Sequence, residues 1–344
     1  MRVLVTGGAG YIGSHTVRRL VADGHAVAVL DTLERGHAAA VPDVPLHVGD
    51  VRDGSLVGGI LRAHRADAVV HFAAVKSVGE SVADPGRYFD VNVTGSLSLL
   101  RAMVDAGVNR LVLSSTCAVY GTPDELPVVE SSPVRPENPY GESKLLMERM
   151  AAWFDGPHGV RTATLRYFNA AGAALDGSNG EDWRGAENLI PVVMKVAAGH
   201  RETVDVFGTD YPTPDGTAIR DYVHVLDLAD AHALALEHLM DGGASAIMNL
   251  GTGTGASVLE VVEAARATSG RRIETRERPR RPGDPSAIWA DGHVARDLLG
   301  WKPRYDLDAI LATAWRWHVS HPDGHGPASA RAGLTGAVPT GAAP

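Results

Sequence analysis

The chain has 344 residues, of which 44% are hydrophobic and 21% are charged, and this composition is typical of one large globular domain or two unequal ones. Its formal net charge of -9 argues against a nucleic-acid partner, because proteins that bind the phosphate backbone are usually basic. The one cysteine, Cys117, excludes an internal disulfide, and no apolar run is long enough to cross a bilayer, so we expect a cytoplasmic protein without a membrane partner.

Short apolar, β-branched runs alternate with longer amphipathic runs through the first half of the chain. Strands are predicted at Val3–Thr6, Ala26–Asp31, Ala68–Phe72, Leu111–Ser114 and Thr162–Leu165. Helices are predicted at Tyr11–Ala22, Ser55–His64, Val91–Ala106 and Pro139–Phe154. This alternation predicts an α/β fold in which helices cover both faces of a doubly wound parallel sheet of the Rossmann type.

The alternation ends after about Asn169, where Ala170–Gly185 is predicted to be a loop. Further elements are predicted at Pro191–Ala198, Leu226–Met240, Ile247–Leu250, Val258–Thr268 and Leu307–Ser320. We therefore expect a Rossmann domain over 1–169 and roughly 224–252, and a smaller α/β substrate-binding lobe over 170–223 and 253–321. Residues 322–344 are mostly Gly, Ala, Pro, Ser and Thr, which predicts a disordered tail.

A glycine-rich turn joins the first strand to the first helix. Gly7, Gly10 and Gly13 allow a tight turn that brings the backbone close to a pyrophosphate, with Tyr11 and Ile12 between the last two glycines. The phosphates then meet the free amides and the positive end of the helix. A glycine motif alone is weak, but this one follows a strand and opens a helix, which predicts a dinucleotide site.

Acidic residues follow the second strand and a further short strand, the third of the chain, that is predicted just before Asp50. Asp31 ends the second strand, where a carboxylate would bind the ribose hydroxyls of NAD and repel the 2′-phosphate of NADP. The sequence therefore favours NAD as the cofactor. Asp50 and Val51 are expected to contact the adenine.

Tyr140 and Lys144 are four residues apart on a predicted helix and so share one face. Asn138 suits the N-cap and Pro139 the first position, which puts Tyr140 in the first turn, where the helix dipole favours a negative charge. Lowering the pKa of a tyrosine from about 10 to about 7 needs roughly 4 kcal/mol. We expect Lys144, the helix terminus and a positively charged nicotinamide to supply it together.

Hydroxyl groups close the fifth strand at Ser114-Ser115-Thr116. Ligands of open α/β sheets bind at the carboxyl ends of the strands, so one of these hydroxyls can bond the reacting oxygen. The neighbouring Cys117 is interpreted as a packing residue, because nothing suggests a paired histidine.

Two groups of residues with binding potential lie in the second half. His318, His321 and His325 form the densest histidine group, but no cysteine or carboxylate set has the spacing of a zinc site, so no metal is expected. An arginine-rich segment over 271–281 is interpreted mainly as a solvated face.

The motifs together resemble the extended short-chain dehydrogenase/reductase family over residues 1–321. They are TGGAGYIGSH, HFAAVKSVGES, SSTCAVYG, NPYGESK, RYFNAAGA, RDYVHVLDLA, NLGTG and RPGD. Within the family, the pattern resembles members that invert C4 of UDP-glucose and UDP-galactose through a 4-keto sugar, with NAD retained between turnovers.

The resemblance implies roles for residues that match these motifs. Tyr140 is implied as the acid/base, Lys144 as its partner and Thr116 as the hydroxyl group. The implied cofactor contacts are Phe72, Lys76, Asn92, Ser114, Tyr140, Lys144 and Tyr167. The implied UDP-sugar contacts are Lys76, Thr116, Tyr140, Asn169, Asn188, Leu189, Phe207, Arg220, Arg281 and Asp284.

Two departures bear on the reaction. Dehydratases of the family carry Asp-Glu where this chain has Cys117 and Ala118, so the acid needed to expel water is missing. A small residue at the position of Ile288 is associated with N-acetylated sugars and a large one with their exclusion, and isoleucine leaves this open.

Other functions remain open at this point. One is C4 epimerisation of another UDP-sugar, such as a UDP-pentose, UDP-N-acetylhexosamine or UDP-glucuronate. Others are a net NAD-dependent dehydrogenase and a non-catalytic NAD-sensing protein, although the latter tends to lose the Tyr–Lys pair. The resemblance also implies a homodimer formed through the helices at Val91–Ala106 and Pro139–Phe154.

Overall fold

The computed structural model describes residues 1–281 and 283–326. The strands are β1 (Arg2–Thr6), β2 (Ala26–Asp31), β3 (Leu46–Val48), β4 (Ala68–His71), β5 (Arg110–Thr116), β6 (Arg161–Tyr167), β7 (Asn169–Ala171), β8 (Thr203–Phe207), β9 (Ile219–Arg220), β10 (Tyr222–His224), β11 (Ala246–Leu250), β12 (Ala256–Ser257), β13 (Glu274–Arg278) and β14 (Ala287–Ile288). The helices are α1 (Tyr11–Ala22), α2 (Gly54–His64), α3 (Val78–Ala83), α4 (Pro85–Tyr88), α5 (Gly95–Ala106), α6 (Pro139–His158), α7 (Leu189–Ala197), α8 (Val225–Met240), α9 (Val258–Ser269), α10 (His293–Leu299) and α11 (Leu307–Ser320).

Seven parallel strands form the central sheet in the order β11-β6-β5-β4-β1-β2-β3. The order reverses on either side of β1, as the Rossmann topology requires. Helices α1 and α8 pack together on one face, and α2, α5 and α6 cover the other. The predicted α/β fold with a doubly wound parallel sheet is therefore confirmed.

The remaining strands form three small sheets that extend one end of the molecule. They pair β10 with β7, β13 with β8, and β9 with both β12 and β14. Helices α7, α9 and α11 enclose a separate apolar cluster beside them, which includes Val193, Val262, Ile310 and Leu311. The sheet that contains β9 matters most for the site, because β9 ends in Arg220.

Most predicted elements lie where the sequence placed them, and two of the helices differ in extent. The predicted helix at Val91–Ala106 is a wider π-helical turn over Phe89–Thr94, followed by α5 from Gly95. Helix α6 continues to His158 and ends at Gly159, whose φ of 65° reverses the chain. The predicted loop over Ala170–Gly185 contains the short strand β7 and a 3-10 turn at Trp183–Gly185.

The predicted disordered tail needs a correction at its start. Residues 322–326 are folded against the protein, where His325 Nε2 lies 3.1 Å from the carbonyl oxygen of Gly180 and its ring stacks on His37 at 4.9 Å. The average composition of 322–344 gave no indication of these contacts of His325. Residues 327–344 lie outside the described residues. Within the described part of the chain, no helix has the length and apolar character needed to cross a membrane.

Candidate active site

The glycine turn after β1 is shaped by close backbone approach. Gly7 has a φ of 70°, and a Cβ atom there would lie 2.6 Å from the amide nitrogen of Ala73. A Cβ atom on Gly13 would lie 2.3 Å from the carbonyl oxygen of Gly7, whereas one on Gly10 would be only crowded, at 3.3 Å from the same oxygen. Among the described residues, no side chain caps the start of α1. The turn therefore fits a pyrophosphate, which would bond the free amides of Tyr11 and its neighbours.

Asp31 lies beside this turn at the carboxyl end of β2. Its side chain is buried and accepts hydrogen bonds from the amides of Ala9 (3.0 Å) and Leu33 (2.9 Å). Burial raises the pKa of Asp31, while the two amide bonds act in the opposite direction. Each carboxylate oxygen keeps a second lone pair for a ribose hydroxyl, so the arrangement is compatible with the predicted role.

The predicted adenine and loop contacts have different surroundings. Asp50 forms an ion pair with Arg52 at 2.6 Å, and hydrogen bonding by Arg52 lowers the pKa of Asp50. Val51 is buried. The amide of Asn92 is fully buried and exchanges hydrogen bonds with the backbone of Val75, at 2.8 and 3.1 Å. Asn92 therefore supports the loop that carries Lys76, through bonds made within the protein.

A second loop reaches over the glycine turn from beyond β7. The hydroxyl of Tyr11 donates to the carbonyl oxygen of Gly172 at 2.6 Å, and Lys76 Nζ lies 3.3 Å from a carboxylate oxygen of Glu181. Sequence analysis missed Glu181, because its partner lies 105 positions away and no local pattern marks the pair. The contact brings the predicted cofactor residue Lys76 to the loop after β7.

Tyr140 and Lys144 occupy the start of α6 as predicted from their spacing. Asn138 caps the helix by accepting a hydrogen bond from the amide of Gly141 at 2.9 Å, and Pro139 is its first residue. Lys144 is 3% exposed, and its Nζ donates to the carbonyl oxygen of Ser114 at 3.0 Å. The ammonium is thereby fixed at the carboxyl end of β5.

The protein environment moves both pKa values toward neutral side chains. Desolvation raises the pKa of Tyr140 above its ordinary value, and a hydrogen bond from Thr116 acts in the opposite direction. Burial lowers the pKa of Lys144 to about 8. The expected lowering at Tyr140 is therefore not achieved by the side chains and the helix terminus, because desolvation outweighs them.

The end of β5 brings several predicted residues together. The hydroxyl of Ser114 hydrogen-bonds the hydroxyl of Tyr167, and Thr116 Oγ1 accepts from the amide of Ala118 at 3.1 Å. Tyr167 and Phe72 flank the buried ring of His232, at centroid distances of 5.9 and 4.6 Å.

The thiol next to Thr116 is a poor nucleophile. Burial raises the pKa of Cys117 to about 12, so the side chain stays a protonated thiol at neutral pH. Cys117 also packs against the main apolar core. Both observations favour the interpretation of Cys117 as a packing residue.

The predicted UDP contacts form a chain of neighbouring side chains in the second half. Arg220 forms an ion pair with Asp284, and the guanidinium of Arg281 lies 3.7 Å from the ring centroid of Phe207. The amide of Asp284 lies 3.3 Å from the carbonyl oxygen of Arg281, which links the two pairs. An aromatic face with two guanidinium groups can hold a base and a diphosphate.

The other predicted residues of this half lie on elements around that cluster. Asn169 begins β7 and pairs with Tyr222 of β10, two residues after Arg220. Asn188 precedes α7, and Leu189 is its first residue. Ile288 is 4% exposed and pairs with Arg220 in the sheet of β9 and β14.

The histidine group near the C-terminus has aromatic neighbours. His321 stacks on Trp317 at 3.8 Å, and the ring of His325 lies 5.0 Å from the same indole. His318 is buried and donates from Nδ1 to the carbonyl oxygen of Ala314 at 2.7 Å. These histidines serve the packing of α11 against the loop after β7.

The chain is similar to one well-defined family and to solved members of it. The sequence profile of the NAD dependent epimerase/dehydratase family matches residues 3–251. UDP-glucose 4-epimerase from Lacticaseibacillus casei is 49% identical over 95% of this chain and 99% of its own length. The enzyme of the same name from Lactobacillus helveticus is 51% identical, with 94% and 99% covered.

Solved structures of UDP-glucose 4-epimerases are also similar to this chain. UDP-glucose 4-epimerase from Stenotrophomonas maltophila, with bound NAD and formylated UDP-arabinopyranose, has a TM-score of 0.91 at 45% identity, with 94% of this chain and 99% of that chain covered. The enzyme from Bifidobacterium longum, in complex with NAD+ and UDP, has a TM-score of 0.89 at 40% identity and the same coverage.

We predict that Gly13→Ala abolishes cofactor retention. The added Cβ atom would collide with the carbonyl oxygen of Gly7 and push α1 away from the turn. Protein purified from cells and then denatured should release much less NAD(H) than the wild type, measured by enzymatic assay of the supernatant. Gly59→Ala on α2 is the matched control, because a Cβ atom there meets nothing within 4 Å. Equal NAD(H) release by both variants would contradict the proposed fit of the turn.

Proposed function

This chain belongs to the NAD dependent epimerase/dehydratase family, and we propose that it catalyses the reversible C4 epimerisation of UDP-glucose and UDP-galactose with a tightly bound NAD. One arrangement carries the proposal: Tyr140 and the buried Lys144 begin a helix beside Thr116, at the carboxyl end of a central parallel strand. UDP-glucose 4-epimerases that are 49 and 51% identical over nearly their whole length support the same reaction.

The proposed roles at the reacting carbon follow from chemistry and position. Tyr140 takes the proton of the C4 hydroxyl and later returns it, and Thr116 hydrogen-bonds the same oxygen. Lys144 holds a positive charge beside the phenolate. NAD bound at the glycine turn would supply a reversible hydride acceptor for C4, and its positive nicotinamide would favour the phenolate form of Tyr140.

The UDP end of the substrate is proposed to bind away from the reacting carbon. Phe207 and Arg281 suit the uracil and the diphosphate, while Arg220 is oriented by Asp284. Binding energy from UDP then retains the keto sugar while the hexose turns in the site. In this proposal, residues 170–223 and 253–321 form the substrate lobe, and 1–169 with roughly 224–252 hold NAD.

The competing reactions of the family have less support. Elimination of water needs an acid after Thr116, and Cys117 and Ala118 supply none; the buried thiol has a pKa of about 12. A net dehydrogenase would accumulate NADH. The direct test is NMR of UDP-galactose incubated with the pure protein without added cofactor. We expect anomeric signals of UDP-glucose to appear, and unchanged UDP-galactose or stoichiometric NADH would overturn the proposal.

We predict that Tyr140→Phe lowers turnover by at least about 100-fold, because it removes the proposed proton acceptor and keeps the ring. Binding of UDP and retention of NAD should survive, as measured by calorimetry and by NAD(H) release. Cys117→Ala is the matched control and should remain nearly as active as the wild type. Full activity of Tyr140→Phe would refute its role as proton acceptor, and loss of activity in Cys117→Ala together with an active Tyr140→Phe would point to a thiol mechanism instead.

We also propose a homodimer formed through α5 and α6. Leu97, Leu146 and Met150 are only half-buried, and Trp153 is 80% exposed. Three other apolar residues of the same two helices, Leu100, Met103 and Leu145, are buried within the chain and unavailable to a partner, because α5 and α6 pack on the sheet through them. The remaining apolar surface is centred on Trp153.

Cytoplasmic localisation stays a prediction from the single cysteine.

Trp153→Glu should weaken the dimer, because it puts a charge into the proposed apolar contact. Light scattering at micromolar concentration should give twice the mass of 36.2 kDa for the wild type and a lower mass for the variant. Leu298→Glu on α10 is the control, since Leu298 is also exposed (46%) but lies on another element. A wild-type mass of one chain would refute the dimer.

A further inference from the structure

A third ionisable residue follows Tyr140 and Lys144 on the same face of α6. Glu148 lies four residues beyond Lys144, so the three side chains follow one another along one side of the helix. Its side chain is 4% exposed, as is that of its partner Arg166. The proposed mechanism uses Tyr140 and Lys144 and leaves this buried carboxylate without a role.

The carboxylate of Glu148 is held by three donors from the central sheet. Oε2 accepts from Nη2 of Arg166 at 2.6 Å, and Oε1 accepts from Nε of Arg166 at 3.0 Å and from the hydroxyl of Ser115. Arg166 in turn donates to the hydroxyl of Tyr120 at 3.0 Å. Ser115 belongs to β5 and Arg166 to β6, so the network ties α6 to the two strands that end at the site.

A buried ion pair is weak evidence for stability, because desolvation offsets much of the attraction between the charges. The pair lies next to Lys144 on α6, which indicates a role in the active site. We propose that Glu148 is a positioning residue whose fixed carboxylate, one turn below Lys144, keeps the buried ammonium charged and directed at Tyr140. Arg166 and Ser115 hold that carboxylate in place. This inference rests on the epimerisation proposed above.

The electrostatics of Lys144 support this role. Burial lowers the pKa of Lys144 to about 8, and the charge of Glu148 acts in the opposite direction. His71, with a pKa of about 3, and Tyr88, Cys117 and Tyr167, with pKa values of about 12, are neutral near pH 8. Arg166, which pairs with Glu148, is the positive charge of the same network. Glu148 is therefore the negative charge that opposes desolvation at Lys144.

The protonation state of Lys144 determines whether turnover rises or falls with pH. The ammonium is the form that stabilises the phenolate, so turnover falls as pH rises through the pKa of Lys144. Replacing Glu148 by glutamine removes the negative charge and lowers that pKa further. The alkaline limb of the profile of kcat against pH should move to lower pH by about one pH unit. KM for UDP-galactose should change little, because the UDP contacts lie on other elements.

The experiment compares full-length wild type with three variants across pH 5–10. Glu148→Gln removes the charge, and Glu148→Gln/Arg166→Met also removes the guanidinium that the single variant would leave buried and unpaired. Ser115→Ala removes one hydrogen bond to the carboxylate and keeps its charge. We expect the alkaline limb to move to lower pH in Glu148→Gln, to move in the same direction but less far in the double variant, which also loses the positive charge of Arg166, and to stay near its wild-type position in Ser115→Ala.

The outcomes separate this inference from the proposed function. A wild type without epimerase activity would refute the proposed function itself. An active wild type, together with Glu148→Gln/Arg166→Met that folds and keeps the wild-type alkaline limb, would overturn the role of Glu148 and leave the pair a purely structural one. If Glu148→Gln fails to fold, the alkaline limb of Glu148→Gln/Arg166→Met decides whether Glu148 has this role.

Discussion

The parallel direction of all strands in the central sheet is the constraint on which the site depends. Because every strand runs the same way, the carboxyl ends of β1, β2, β4, β5 and β6 meet at one edge. The glycine turn, Asp31, Phe72, Thr116 and Tyr167 each follow or end one of these strands. Residues that are far apart in the sequence therefore become neighbours because their strands lie side by side in the sheet.

Desolvation has the largest effect on the pKa values of the ionisable residues at this edge. It raises the pKa of Tyr140, which keeps the phenol protonated, and lowers that of Lys144 to about 8, which is much closer to neutral pH than its ordinary value. Acid–base chemistry at neutral pH needs the opposite bias at both groups. The positive charge of a bound nicotinamide favours the phenolate, and the fixed charge of Glu148 favours the ammonium. Burial is useful nevertheless, because it strengthens each of these interactions by excluding water.

Local patterns in the sequence were sufficient for the sheet, most helices and the contacts made within one motif. The bounds of α1, the cap of α6 by Asn138 and the face shared by Tyr140 and Lys144 depend on neighbouring residues, and each could be predicted. Contacts between distant segments could not, among them Lys76 with Glu181 and the burial of Leu100 between α5 and the central sheet. Glu148 is an intermediate case: its spacing from Lys144 was visible, but its burial against Arg166 was not.

The proposed reaction would also account for the division of the proposed substrate contacts between two parts of the chain. Hydride must leave one face of C4 and return to the other, so a firm hold on the hexose itself would favour one face and slow the return. Phe207, Arg220 and Arg281 instead cluster on segments that follow β7, apart in sequence from Tyr140 and Thr116. Binding contacts made mainly to UDP would retain the keto sugar while its ring remains free to rotate. Cys117 and Ala118 act in the same sense, because an acid there would open a route to loss of water before the hydride returned.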